Sequence, residues 1–217
     1  MSAKIIGIIQ VKGGAGRSTV STNLAGELSK QGKTVLIDCD MPQGTSASWF
    51  AVRQQAGKAG NLIADTATNH RELVAKVEQY QDADFIVLDG PPRIAELTRA
   101  ILVLADLCLI PVGASAAEIW ATSDLLALIE EAKQVKPVNA RMIWTRYRAH
   151  TRLAQELSEL ATKELGLVAL STALGMRVAY MEALGDGLTA GELSEPSAKA
   201  EVKSLIDEIQ KLLRKKP

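Results

Sequence analysis

Five short runs constrain this chain more than anything else in it: Lys4–Gln10 (KIIGIIQ), Lys33–Asp40 (KTVLIDCD), Asp84–Gly90 (DFIVLDG), Asp106–Gly113 (DLCLIPVG) and Ala140–Thr145 (ARMIWT). Each is nearly continuous in apolar, β-branched character, as a strand must be when both of its faces are buried. Segments of helical period separate them, among them Ser18–Lys30, Arg71–Gln81 and Ser123–Lys133, and Gly32 reads as a helix stop before the second run. Alternating elements of this kind predict an α/β fold: a doubly wound, mostly parallel sheet with helices on both faces. Ligands of such sheets gather beyond the carboxyl ends of the strands. Hydrophobic residues make up 47% of the chain but aromatics only 4%, so the core is expected to be built from Ala, Val, Leu and Ile. No repeat or low-complexity linker interrupts the pattern, and residues 1–217 are expected to form a single domain.

Charge excludes little. Lys plus Arg and Asp plus Glu both number 25, so a polyanion or membrane surface would have to be met by a local patch. Cys39 and Cys108 form neither a CxxC nor a zinc spacing and read as buried free thiols. No signal peptide precedes the first strand, and no apolar run approaches the ~20 residues of a membrane span, so a cytoplasmic location is expected. His70 and His150 are isolated and read as surface residues, while Trp49, Trp120 and Trp144 read as packing residues rather than base-stacking platforms.

The chemistry begins after the first run, with Lys12-Gly13-Gly14-Ala15-Gly16-Arg17-Ser18-Thr19 directly ahead of a helix. Glycines let backbone N–H groups close around phosphate oxygens, and a helix N-terminus adds a favourable dipole. Ser18 holds the position from which a hydroxyl ligates Mg²⁺. A glycine-rich turn alone would be an ordinary strand-to-helix connection; a buried strand before it, a helix after it and a lysine in front make it specific.

Two further runs end in carboxylates. Leu36–Trp49 (LIDCDMPQGTSASW) carries Asp38 and Asp40, placed to orient an attacking water and to serve Mg²⁺. The plainer alternative, for Asp40, is that it caps the next helix. Phe85–Pro92 (FIVLDGPP) is a hydrophobic strand ending in Asp89, where nucleotide hydrolases place an aspartate that accepts from metal-bound water.

These three segments, in this order, resemble the motifs of the ParA/MinD family of ATPases: the deviant phosphate loop KGGxGK[ST], then DxDPQ, then DxPP. The resemblance covers nearly the whole chain and implies the P-loop NTPase fold, ATP and Mg²⁺ as cofactors, and a dimer that sandwiches nucleotide. By that match Lys12 reaches the partner's phosphates, and Gly13, Gly14, Ala15, Gly16, Arg17, Ser18 and Thr19 cradle the nucleotide. Asp38 orients water, with Asp40 as its companion, and Ser18, Asp40 and Asp89 serve the metal. Thr145 falls where many relatives carry a base-contacting asparagine. Two departures stand out: Arg17 replaces the second lysine of the loop, and Met41 intrudes between Asp40 and Pro42.

Within the family the chain resembles short ParA proteins, which segregate plasmid or chromosomal DNA. That implies non-specific DNA binding in the ATP state, a ParB-like partner that stimulates hydrolysis, and a nucleoid-associated location. Candidate DNA contacts are Arg146, Arg148, Arg152, Arg177, Lys199, Lys203, Lys211, Arg214, Lys215 and Lys216; Arg177, in MRVAYMEALGDG, matches a DNA-contacting arginine of the family. Three alternatives are open: a positioning ATPase with a protein cargo, a MinD-like membrane cycle, and a nucleotide-gated DNA-binding module that hydrolyses little because of Arg17. The apolar stripe of Ala198–Pro217 (Val202, Leu205, Ile206, Ile209, Leu212, Leu213) is expected to pack on the domain as its last helix rather than to bind a membrane.

Overall fold

A computed structural model of the chain describes residues 2–92, 95–148 and 151–214. Six strands form one sheet in the order β3-β2-β4-β1-β5-β6, and every pairing in it is parallel. The strands are β1 (Lys4–Ile8), β2 (Thr34–Asp38), β3 (Leu62–Thr66), β4 (Phe85–Asp89), β5 (Leu107–Gly113) and β6 (Ala140–Thr145). The helices are α1 (Arg17–Leu28), α2 (Thr45–Gln55), α3 (His70–Gln79), α4 (Ala95–Leu104), α5 (Ala116–Lys133), α6 (Arg152–Leu165), α7 (Val178–Gly185) and α8 (Pro196–Arg214).

Successive strand residues serve opposite layers, as a two-faced sheet requires. Ile6 and Ile8 of β1 pack with Val20, Leu24 and Leu28 of α1, Trp49 of α2 and the buried stripe of α8. Ile86 and Leu88 of β4 pack on the other face, with Leu97 and Ile101 of α4 and Ile119, Leu125 and Ile129 of α5. Val202, Leu205, Ile206 and Ile209 of α8 are buried and Leu212 and Leu213 pack partly against them, so this stripe is a core element. Among the described residues no helix is long and apolar enough to cross a membrane.

Four expectations change. β3, an edge strand, has no counterpart in the apolar runs, because Asp65 within it turns to Lys76 of α3 and to Tyr80 just after that helix instead of to a core. α5 opens at Ala116, well before Ser123, because the Ser115 hydroxyl accepts the Glu118 N–H and caps it there. α1 ends at Leu28, before Gly32, which instead lies against the Asp84 side chain. Trp49 and Trp144 are buried as expected, but Trp120 is 59% exposed on the first turns of α5. Cys39 and Cys108 are both buried free thiols, and burial pushes the Cys108 thiol up to about 12. His70 is exposed and lies 3.4 Å from Glu96; His150 lies outside the described residues.

Candidate functional site

The glycine-rich loop joins Ile8 of β1 to Arg17 of α1. Gly14 and Gly16 have φ of 76° and 95°, a left-handed conformation that glycine takes without the strain a side chain would add. α1 starts with no side-chain cap and no acidic residue in its first turn, so the positive end of its dipole faces the loop uncompensated. Both ends of the loop are pinned. At its start the buried Gln10 amide donates to the Pro111 carbonyl (3.0 Å) and to Thr122 Oγ1 (2.9 Å). At its far end Thr145, at the tip of β6, donates its hydroxyl to the Ala15 carbonyl at 2.8 Å. Thr145 is buried, and that hydrogen bond fixes the end of β6 to the glycine-rich loop.

Arg17 is only 6% exposed. Its Nη1 donates to the carbonyls of Gln10 (2.8 Å) and Lys12 (2.7 Å), and Nη2 stands 3.4 Å from Asp40 Oδ2. A planar fork holds acceptors on two separate nitrogens in a fixed geometry, whereas an ammonium directs its three donors from a single point. Arg17 thereby ties the start of the loop to the segment after β2.

The strand ends bring the acids together. Asp38 is paired in register with Asp89 on the neighbouring strand, so the two carboxylates lie side by side. Asp38 accepts the Asp40 N–H on Oδ1 and the Ala47 N–H on Oδ2, both at 2.9 Å. The helix-capping role foreseen for Asp40 is therefore performed by Asp38, because α2 begins at a glycine cap with no side chain of its own. Asp89 is fully buried; Oδ2 accepts the Ser46 hydroxyl at 2.6 Å, while Oδ1 has no hydrogen-bond partner among the described residues. Burial, with the Asp38 charge adding to it, raises the Asp89 carboxyl to about 6, although the Ser46 and Ser18 hydroxyls and the Arg17 charge pull it down. An unpartnered, buried carboxylate oxygen near the Ser18 hydroxyl fits a hard cation such as Mg²⁺, whose remaining ligands would be phosphate and water.

On the rim, Lys12 Nζ lies 3.0 Å from Glu118 Oε1, and Arg146 reaches the same oxygen at 3.1 Å while donating to the Gly14 carbonyl at 2.7 Å. Arg146 is thus part of the loop's surroundings. Ser46, Glu118 and Gln10 escaped sequence reasoning because their partners are distant in the chain. A serine in the TSAS first turn of α2 is the one signal of this in the sequence.

Three of the other DNA candidates are paired with acids. Arg177 is clamped between Glu195 (2.9 Å) and Glu201 (2.8 Å), and Glu201 also accepts the Gly175 N–H and the Tyr180 hydroxyl. Arg152 pairs with Glu156 and Lys203 with Asp207 along their own helices. Arg148, Lys199, Lys211 and Arg214 make no ion pair among the described residues, and Lys215 and Lys216 lie outside them.

A family model described as an AAA domain matches residues 3–76. The chain is 27% identical over 211 residues to the maintenance of carboxysome distribution protein A of Halothiobacillus neapolitanus, covering 96% of this chain and 94% of the relative. It is also 27% identical over 217 residues to the chromosome-partitioning ATPase Soj of Thermus thermophilus, covering 86% of this chain and 87% of the relative. The ATP complex of Cyanothece McdA has the same fold, with a TM-score of 0.79 at 16% identity over 96% of this chain and 97% of that one. An all-parallel sheet with this loop after its first strand defines a P-loop NTPase. Within that class, the chain is similar over most of its length to ATPases of the ParA/MinD type.

Proposed function

We propose that this chain is an ATP-driven positioning ATPase. ATP with Mg²⁺ closes two copies into a dimer, the dimer holds DNA without sequence preference, and a partner bound to the cargo triggers hydrolysis and release. The reading rests on one observation above others: Asp38, Asp40 and Asp89 meet at adjoining strand ends, facing the glycine loop and Arg17. In this reading the loop backbone, Arg17, Ser18 and Thr19 bind phosphate, Lys12 serves the partner's nucleotide, and Asp38 orients water. Ser18, Asp40 and Asp89 hold Mg²⁺, which supplies charge stabilisation at the transferring phosphoryl group.

Two cargo classes have support. The alignment to a carboxysome-distribution protein runs through 96% of this chain and favours a protein assembly. The Soj relative, matched over 86% of it, favours a DNA cargo with a ParB-like partner. We place the protein cargo first on that difference in coverage. DNA contact would fall to Arg148, Lys199, Lys211 and Arg214, and would weaken steeply with salt, as phosphate contacts do.

The test is ATP turnover by the purified chain with and without DNA, beside Arg17→Lys. Turnover by the Arg17 form, raised by DNA, is the expected result. Turnover by the lysine variant alone would make the native chain a nucleotide-gated binder, and turnover by neither would refute the enzyme reading.

A further inference from the structure

Two cations that the phosphate loop needs converge on one carboxylate. Glu118, in the first turn of α5, is 12% exposed and receives Lys12 and Arg146 on the same oxygen, Oε1, at 3.0 and 3.1 Å. Its other oxygen is buried without a hydrogen-bond partner, so these two cations are the only hydrogen-bond partners of its carboxylate among the described residues. The Ser115 cap fixes the turn that carries it.

The surrounding backbone makes room for the cluster. Arg146 is the one non-glycine residue with a positive φ (51°) among those described. At Gly113 a Cβ would lie 2.4 Å from Arg146 Nη2 and 3.0 Å from Glu118 Cδ, so no larger residue fits there with the cluster intact. The second arm of Arg146 holds the Gly14 carbonyl, which closes a ring of contacts from α5 through the end of β6 to the rim of the loop. Lys12 is 38% exposed and the Arg146 side chain 48%, and ion pairs at such exposure are weak and readily exchanged. A stored cation needs that property, whereas a structural anchor does not.

We infer that Glu118 is a positioning residue that keeps Lys12 within its own subunit, and that pairing of two nucleotide-bound copies must first take Lys12 from it. The inference rests on the proposed reading in which Lys12 crosses to the partner's phosphates. An ammonium held on its own α5 is not available to a second copy, so the two arrangements exclude each other. Glu118 biases the nucleotide-free chain toward the separate state, and ATP shifts that balance only as far as its phosphates outbid the carboxylate for Lys12 and Arg146.

Glu118→Gln keeps the side-chain volume and removes the charge; Glu118→Asp keeps the charge and shortens the reach. The first measurement uses nucleotide-free protein and follows acylation of the Lys12 amine by a small reagent, read by peptide mass spectrometry. Lys12 should react severalfold faster in Glu118→Gln, at an intermediate rate in Glu118→Asp, and other lysines should be unchanged. Equal Lys12 rates in the wild type and Glu118→Gln would overturn the inference whatever ATP does. The second measurement is sedimentation with ATP and Mg²⁺. Two lysines are released per dimer, so roughly threefold easier release in each chain tightens pairing by about tenfold. Faster labelling with unchanged or weaker pairing would overturn the role in dimer closure. Faster labelling in Glu118→Gln, where neither it nor the wild type pairs with ATP, would uphold the storage of Lys12 and overturn the sandwich reading instead.

Discussion

Glu192→Gln offers a test of how the site's scaffold is held. Arg53, in the last turn of α2, is 3% exposed and meets Glu192 in a two-pronged pair, Nη1 to Oε2 at 2.8 Å and Nη2 to Oε1 at 3.0 Å. Arg53 also donates to the Gly187 carbonyl and lies 5.4 Å from the centroid of the Trp49 ring, and the Trp49 indole donates to the Leu188 carbonyl. The far end of the same helix supplies the Ala47 N–H to Asp38 and the Ser46 hydroxyl to Asp89. Loosening the clamp therefore loosens the helix that orders both acids.

Burial alone would raise the Glu192 carboxyl. The Arg53 hydrogen bonds, the Thr189 N–H and the charges of Arg53 and Lys30 overcome it and bring the group from 4.5 down to about 2. A folded-state value below the unfolded one stabilises the fold above the unfolded pKa, and that stability is lost as pH falls through the folded value. The difference corresponds to about 3 kcal/mol near neutral pH, decreasing to about 2 kcal/mol by pH ~3.5. Glu192→Gln removes this contribution and leaves the buried Arg53 without its countercharge, a loss of about 3 kcal/mol by the behaviour of broken buried pairs. Urea unfolding followed by tryptophan fluorescence, at neutral pH and again at the acid end, measures it. A variant within about 0.5 kcal/mol of the wild type near neutral pH would refute the reasoning, as would a deficit that does not shrink on acidification.

Asp89 carries the opposite sign. Its raised value of about 6 means that the folded chain becomes less stable as pH rises from about 4 to 6, by up to ~3 kcal/mol, and Asp89→Asn should flatten that slope in denaturation midpoints of the nucleotide-free protein. Thr145→Val keeps the shape of the side chain but removes the donor to the Ala15 carbonyl; a stability loss of about 1–2 kcal/mol and weaker ATP binding by calorimetry are expected.

Much of this was legible along the chain because it is local. The β6 run, Ala140–Thr145, coincides with the observed strand, and Asp38 and Asp89 stand out because a charge closing a doubly buried strand has few places to go but the sheet's end. What escaped is long-range. Arg177 reads as a surface cation until Glu195 and Glu201, on a segment that folds back against it, neutralise it. The hydrogen bond from Thr145 to a loop 130 residues earlier in the chain is likewise invisible until β6 brings the two together. Even α2's first turn, present in the sequence as TSAS, gives no sign that its serine faces one strand end and its backbone another.

The same long-range contacts explain how the chain can keep so many positive groups around a loop built for phosphate. Each is matched in the nucleotide-free state: Lys12 and Arg146 by Glu118, and Arg17 by two loop carbonyls and Asp40. In the proposed reading nucleotide phosphates would have to displace these partners, so affinity would reflect the difference between two well-paired states rather than the attraction of bare cations. Arg17 is the pivot of that exchange, since its hold on the Gln10 and Lys12 carbonyls uses one nitrogen and leaves the other facing Asp40. If Nη2 turns from Asp40 to phosphate, Nη1 can stay in place and the loop keeps its shape, a division of labour that requires a fork. Arginine at this position therefore keeps the positive charge of the lysine in the loop it resembles and adds a structural tie, so Arg17→Lys is expected to change the loop as well as ATP turnover.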